Sequence, residues 1–181
     1  MAAMNPTQKP IHTPGALADL TPADILRCAA RYLELRGWTQ GDPYELADRL
    51  AFPPACTLGA ITAAVYGYPA SIQDRQIGDD ATDALRDSTV RCLADFLWQD
   101  GRVPEFDYHG ALCCSNTEIV SGWNDDATQT LPDVLGILRA AADDYDWSHA
   151  TEDDLETYAD ACVWAEKHPT REGFLAWRAA R

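Results

Sequence analysis

The chain has 181 residues, and its composition, 46% hydrophobic and 24% charged, is typical of one globular domain. A formal net charge of -15 repels phosphate backbones and anionic lipid, so we expect neither direct nucleic-acid binding nor membrane association. No apolar run reaches the roughly 18 residues that a membrane span needs, and the N-terminus lacks a secretion-signal pattern, so we expect a soluble, cytoplasmic protein.

The first predicted helix follows a Pro-rich segment. Residues 1–19 contain three prolines and no periodic pattern, so we predict a flexible N-terminal arm there and a single helical domain over residues 20–181. Thr21 followed by Pro22 is typical of a helix N-cap and first helical position. This helix should end at Gly37.

Three more helices are predicted before an irregular segment. A short helix is predicted over residues 44–52, where two prolines end it, and a nearly all-apolar, buried helix over residues 56–66. Apolar residues at helical spacing predict a long amphipathic helix over residues 80–98. In residues 101–121, a proline and alternating acids argue against a central strand, and we predict one irregular segment there.

Three helices complete the predicted fold. Thr130 and Thr151 each begin a capping pattern followed by apolar residues at helical spacing, and residues 171–180 form a last short helix. We interpret residues 143–181 as a C-terminal helical extension of the domain. The sum is an all-α fold, a compact single-domain array of about six to eight helices.

Six cysteines are present, but their positions favour free thiols over disulfides. Cys28, Cys92 and Cys162 fall among apolar or Ala-rich helical residues, where a free cysteine behaves as a small buried hydrophobic side chain. We therefore expect all six cysteines to be reduced.

The segment Trp123-Asn124-Asp125 joins a large aromatic side chain to two residues that hydrogen-bond neighbouring backbone. We predict a tight turn that Asn124 and Asp125 lock and that Trp123 anchors in the core. The same residue types also orient catalytic groups or ligands, and the sequence alone does not separate the two roles.

Cys56 is the candidate nucleophile of the chain. It lies at the predicted N-terminus of a helix, where the helix dipole favours a thiolate and lowers its pKa. In chain order it precedes His109 and Asn124, and Cys, His, Asn is the order of nucleophile, base and orienting residue in papain-like enzymes. The papain-type sequence around the nucleophile is missing, and close helix packing through small residues is the competing interpretation.

His109, Cys113 and Cys114 place imidazole and thiol ligands within a few residues of one another. Adjacent cysteines rarely bind one zinc ion together, and no C-x-x-C spacing occurs elsewhere in the chain. We therefore predict no metal site. The sequence has no phosphate-binding or dinucleotide-binding glycine motif, so we predict no cofactor either.

Three motifs carry a resemblance to a known family: a Gly-Trp-x-Gln-Gly turn at 37–41, a Cys-x-x-Gly-Ala helix start at 56–60 and a Trp-Asn-Asp turn at 123–125. With them, residues 22–142 resemble an uncharacterised family of small helical proteins from actinobacteria and their phages, a domain of unknown function. The resemblance implies a cytoplasmic helical domain and a shared cluster formed by Trp38, Gln40, Cys56, Trp123, Asn124 and Asp125. It implies no catalytic triad and does not cover the tail from residue 143.

Two classes of function remain open from the sequence. The leading hypothesis is a protein-interaction or regulatory module, phage-linked by resemblance, whose acidic surface binds a basic protein partner. Trp164 and Trp177 in the C-terminal extension are its candidate apolar anchors, since aromatic side chains dominate interface hot spots. The alternative is a small thiol-dependent enzyme that uses Cys56 for amide or thioester chemistry. The sequence leaves the oligomeric state open.

Overall fold

The computed structural model describes residues 20–45, 50–70, 79–103 and 114–180. These residues form seven helices and no strand, which confirms the predicted all-α fold. The helices are α1 (Pro22–Arg36), α2 (Thr57–Tyr66), α3 (Asp80–Gln99), α4 (Asn116–Asn124), α5 (Leu131–Ser148), α6 (Glu152–Trp164) and α7 (Arg171–Ala179). None of these seven helices is long and apolar enough to cross a membrane. The predicted N-terminal arm, residues 1–19, lies outside the described residues.

Helix α1 begins and ends where the sequence predicts. The Thr21 hydroxyl accepts a hydrogen bond from the backbone N–H of Asp24, and the Asp24 carboxylate accepts one from the backbone N–H of Thr21. This reciprocal pair satisfies two donors that a helix start leaves without an intrahelical partner. Gly37 ends the helix with a φ of 100°, a conformation that favours glycine. The buried side of α1 packs mainly against α5 and α2.

Helix α2 is the central helix of the main core. Nine of its ten residues are buried, and α1, α3 and α4 all pack against it. Its side chains are predominantly apolar on every side of the helix, as expected for a helix that is enclosed by other elements. Cys56 is its N-cap, and Gly67 ends it in the left-handed conformation, as the sequence predicts.

Two predictions about local structure are wrong. The described ends of the 44–52 segment are not helical: Tyr44 pairs with Ala55 in an isolated β-bridge, and residues 50–53 form bends and loop. Residues 116–121, assigned to the irregular segment, instead belong to α4, where Ser115 and Glu118 form a capping box. The predicted Trp-Asn-Asp turn is therefore the last turn of α4 and its C-cap, Asp125.

A second, smaller cluster holds the C-terminal helices together. Phe174 of α7 is fully buried, and its ring meets those of Tyr158, Trp177 and Trp147 at centroid distances of 5.6–5.8 Å. Ion pairs add a connection to α5, since Arg171 contacts Asp144 at 3.0 Å. Helix α5 runs through residue 143, where the extension was predicted to begin, and ends at Ser148.

The described cysteines only partly follow the prediction. Cys28, Cys56, Cys92, Cys114 and Cys162 are all free thiols. Cys162 is buried as expected, and Cys92 is half-buried, but Cys28 is exposed because it lies on the outward side of α1. The helical pattern identified the helix correctly and placed this one residue on the wrong side of it.

Two helical glycines provide a matched test of backbone packing. A Cβ atom at Gly59 in α2 would lie 2.1 Å from the carbonyl oxygen of Pro43, whereas one at Gly136 in α5 would meet nothing within 4 Å. We expect Gly59→Ala to lower the free energy of unfolding by about 3 kcal/mol, because the 43–45 segment must move away. Gly136→Ala should raise it by about 0.5–1 kcal/mol through helix propensity. Urea unfolding followed by circular dichroism measures both, and equal effects would contradict the close approach at Gly59.

Candidate functional site

The side chain of Asn124 lies at the junction of three segments that are distant in sequence. Asn124 is the last residue of α4 and is 1% exposed. Its Oδ1 accepts three hydrogen bonds: from Trp38 Nε1 at 2.8 Å, from the backbone N–H of Thr57 at 3.0 Å and from Thr57 Oγ1 at 2.7 Å. The amide oxygen of one residue therefore connects the loop after α1 to the N-terminus of α2.

The amide nitrogen of Asn124 is equally occupied. Nδ2 donates to the carbonyl oxygen of Thr39 at 3.3 Å and to Asp125 Oδ1 at 2.7 Å. The same Asp125 oxygen accepts a hydrogen bond from the backbone N–H of Gly41 at 2.9 Å. A carboxamide has two N–H donors and two acceptor lone pairs, and here both donors are used and the oxygen is shared by three donors, so no hydrogen-bonding position of Asn124 is left over.

Gln40 fastens the same loop to the end of α4. Its Nε2 donates to the backbone carbonyl of Asn124 at 2.9 Å and to that of Asp126 at 2.8 Å. Carbonyl groups in the last turn of a helix have no intrahelical donor, so Gln40 supplies one from outside. We call the set Trp38, Gln40, Thr57, Asn124 and Asp125 the Asn124 network.

Trp123 lies beside this network in the core, 1% exposed, which is the anchoring position that the sequence suggested. Its indole N–H is buried and has no hydrogen-bond partner among the described residues. The side chain contributes to the site through apolar burial, which is the larger part of the stabilisation that a tryptophan provides.

Cys56 occupies a structural position next to the network. It is 5% exposed, and its Sγ accepts a hydrogen bond from the backbone N–H of Gly59 at 3.4 Å, as an N-cap side chain does. The sequence predicted that the helix N-terminus would lower the pKa of this thiol. The pKa is instead raised, because burial outweighs the backbone hydrogen bonds that favour the thiolate, and Asp125 adds to the rise.

The Cys-His-Asn hypothesis stays a prediction, because His109 lies outside the described residues, as does Cys113. The other two members are described: the Cys56 thiol is buried, and the hydrogen-bonding positions of the Asn124 carboxamide are all used. An imidazole would have to displace Trp38 or Thr57 from Asn124 Oδ1 in order to be oriented by it. Among the described His, Cys, Asp and Glu residues, no group of three is placed to hold a metal ion.

The two tryptophans of the extension lie in different environments. Trp164, at the end of α6, is 89% exposed. Trp177 is half-buried and packs against Tyr158 and Phe174, with ring centroids 5.7 Å and 5.8 Å away. Neither residue belongs to the Asn124 network.

Sequence reasoning missed Thr57, Thr39 and Gly41 as members of the site. Thr57 is 0% exposed and contributes two of the three hydrogen bonds to Asn124 Oδ1. A threonine at the first position of a nearly all-apolar helix was the available signal, because a buried hydroxyl needs a partner. The contributions of Thr39 and Gly41 come from backbone atoms, which no sequence pattern identifies.

Comparison with known proteins gives one result. The model of a family described only as a family of unknown function, DUF6197, matches residues 17–144. The chain belongs to this family. The whole Asn124 network lies within the matched range, whereas Trp164 and Trp177 lie beyond it. No curated protein and no solved structure gives a significant match to this member of DUF6197.

Replacing Asn124 tests the structural role of the network. Asn124→Ala leaves the Trp38 indole N–H and the Thr57 backbone N–H without their acceptor, and each unpaired buried group costs about 1–3 kcal/mol. We expect the free energy of unfolding to fall by about 2–4 kcal/mol in urea titrations.

Asn116→Ala is the control for that measurement, because Asn116 is half-buried at the start of α4 and its side chain makes no hydrogen bond with the described residues. It should change stability by less than about 0.5 kcal/mol. A wild-type unfolding midpoint for Asn124→Ala would show that the network does not support the fold and would favour a ligand or catalytic role.

Thiol labelling tests the assignment of Cys56. In the folded protein we expect Cys28 to be the fastest of the described cysteines to react with a maleimide, because its side chain is exposed, and Cys56 to react slowly, because burial covers the thiol and raises its pKa. After denaturation without reductant, all six thiols should react. Mass spectrometry of timed samples identifies the labelled sites, and Cys56 as the fastest thiol would support the enzyme hypothesis instead.

Proposed function

We propose that the protein is a binding module for a basic partner protein and that it docks this partner on the outer face of α6. The observation that carries the proposal is Trp164, a tryptophan with 89% of its surface exposed at the end of an acidic helix. A setting in an actinobacterium or its phage belongs to the same proposal and rests on the resemblance of the three motifs.

Helix α6 buries little of its surface against the rest of the fold. Of its thirteen residues, Tyr158 and Cys162 alone are buried. Val163, beside Trp164, is 75% exposed, and Leu155 is 39% exposed. A helix of a globular protein normally buries an apolar stripe on its neighbours, so the apolar side chains left on α6 form a surface available for another protein.

The charge around Trp164 defines the partner. Between residues 151 and 166 the chain has six acidic residues and no basic one, and Lys167 follows directly. Glu156 and Asp160 are exposed and lie eight and four residues before Trp164, so helical geometry places them along the same side. We call Glu156, Asp160, Val163 and Trp164 the α6 face. Its acidic flank and apolar end are complementary to an amphipathic segment rich in Lys or Arg.

A buried cluster of Tyr158, Cys162 and Phe174 fixes α6 to α7 on the side opposite to the α6 face. Tyr158 and Cys162 pack against α7 from the opposite side, and the Tyr158 hydroxyl accepts a hydrogen bond from the backbone N–H of Thr170 at 3.3 Å. Trp177 packs against the same buried cluster. Of the two anchors suggested by the sequence, Trp164 therefore contacts the partner, and Trp177 supports the helix that presents it.

Binding of a synthetic amphipathic Lys/Leu peptide tests the proposal, with an equivalent Glu/Leu peptide as the charge control. We expect Trp164→Ala to weaken binding of the basic peptide by about tenfold or more, as for a central aromatic anchor. Trp98→Ala is the matched control, since Trp98 on α3 is 50% exposed but lies outside the α6 face. Fluorescence anisotropy of the labelled peptide gives the dissociation constants.

Charge-matched double variants separate a specific face from general acidity. Glu156→Gln with Asp160→Asn should weaken binding and its salt dependence more than Asp42→Asn with Glu45→Gln, which removes two exposed charges elsewhere. Raising ionic strength from about 0.01 M to about 0.15 M shortens the Debye length from about 30 Å to about 8 Å and should weaken binding in the wild type. Equal losses for the two double variants, or an unchanged affinity for Trp164→Ala, would reject the α6 face.

A further inference from the structure

A groove of about 540 Å³ lies between α3 and α5, beside the start of α1. This volume is within the range of about 300–1,000 Å³ that small-molecule sites occupy. The groove shares no residue with the Asn124 network or with the α6 face, so neither of those features accounts for it. Its polar and aromatic lining identifies the chemistry that it can hold.

Aromatic rings form part of the groove lining. The rings of Tyr145, in α5, and His149, the C-cap of α5, are stacked with centroids 3.9 Å apart and an interplanar angle of 13°. Phe96 of α3 also lines the groove. Stacked and neighbouring rings offer apolar contact area, and their π faces attract organic cations.

The imidazole of His149 contributes an acceptor. Its Nδ1 lies 2.9 Å from the carbonyl oxygen of Tyr145 and 3.0 Å from Ser148 Oγ. Because the carbonyl can only accept and the Ser148 hydroxyl already donates to it, we assign the hydrogen of the neutral ring to Nδ1. In the neutral ring Nε2 then has the free lone pair. It has no hydrogen-bond partner among the described residues, and it suits an N–H donor.

Two carboxylates, those of Asp95 and Asp144, line the groove. Asp95 is exposed and forms no ion pair with any described residue, whereas Asp144 is paired with Arg171. The pKa of Cys92, which is half-buried in the lining, is raised to about 11, first by burial and then by Asp95 and Asp144. Arg91, also in the lining and also without an ion pair in the described ranges, is the opposing charge.

We propose that this groove binds an organic ammonium ligand with an aromatic body, with Asp95 and His149 Nε2 accepting from its N–H groups and the rings of Phe96, Tyr145 and His149 contacting the rest. An aliphatic neutral ligand would leave the acceptors unsatisfied, and an anion would face the Asp95 carboxylate. Arg91 opposes the ligand's charge, so its removal should strengthen binding.

Three probes of similar size test the charge requirement: 2-phenylethylammonium, 2-phenylethanol and phenylacetate. Calorimetric titration of the full-length protein should give the affinity order cation, neutral, anion, with the cation at least about tenfold tighter than the anion. Backbone amide shifts induced by the cation should centre on Cys92, Asp95 and Tyr145. A preference for phenylacetate, or no binding of the cation at millimolar concentration, would overturn the proposal.

Four variants assign the effect to the groove. Asp95→Asn and His149→Ala should each weaken binding of 2-phenylethylammonium by about fivefold or more, and Arg91→Ala should tighten it. Asp42→Asn, an exposed acid elsewhere, is the charge control and should leave the affinity unchanged. Circular dichroism confirms that each variant folds.

Trp164→Ala should also leave binding of this cation unchanged, since Trp164 does not line the groove. A loss of binding in Trp164→Ala would move the site to the α6 face, and equal losses in Asp42→Asn and Asp95→Asn would reduce the effect to net charge. Either result would overturn the groove assignment without bearing on peptide binding.

Discussion

The rest of the fold depends on how the buried N-terminus of α2 obtains hydrogen-bond acceptors. The first N–H groups of any helix have no intrahelical partner, and capping side chains or water normally satisfy them. At α2 water is excluded, because Cys56, Thr57 and Leu58 are all buried. The acceptors come instead from the Pro43 carbonyl, the Cys56 thiol and, above all, Asn124 Oδ1. A central apolar helix is thus possible only if α4 and the loop after α1 are fixed against its end.

This constraint explains the three sequence motifs as parts of one arrangement. The Gly-Trp-x-Gln-Gly loop supplies the Trp38 indole, the Gln40 amide and the Gly41 backbone N–H, the last at a φ of 82°. The Trp-Asn-Asp segment supplies the acceptors for all three. Because these groups satisfy one another, they stabilise the fold cooperatively and leave little hydrogen-bonding capacity for a substrate. Cys56 and Asn124, the two described residues of the candidate catalytic cluster, therefore both form hydrogen bonds within the fold.

The helices were predictable where their signals are local, and the contacts between them were not. Thr21, Thr130 and Thr151 each cap a helix as predicted, because a cap involves residues only three positions apart. Helix α4 was missed although Ser115 and Glu118 form the same kind of pattern, since it follows a segment with no periodicity. The Asn124 network joins residues more than sixty positions apart. The residue types at 124 and 125 indicated hydrogen bonds to backbone groups, but not which segment of the chain supplies those groups. The direction of the Cys56 pKa failed for a similar reason: the helix terminus is visible in the sequence, whereas the burial that outweighs it is a property of the packed fold.

The distribution of burial distinguishes α6 from the helices of the main core. Acidity alone does not distinguish the extension, because residues 17–144 contain 21 acidic and 9 basic residues and residues 145–181 contain 8 and 4. What distinguishes it is that α6 keeps only Tyr158 and Cys162 buried, in a small cluster with Phe174 that is separate from the main core. A partner on the α6 face would meet side chains that contribute little to folding, so that surface can change without cost to the Asn124 network. The family match ends at residue 144, shortly before the end of α5, so α6 and α7 lie beyond the matched range.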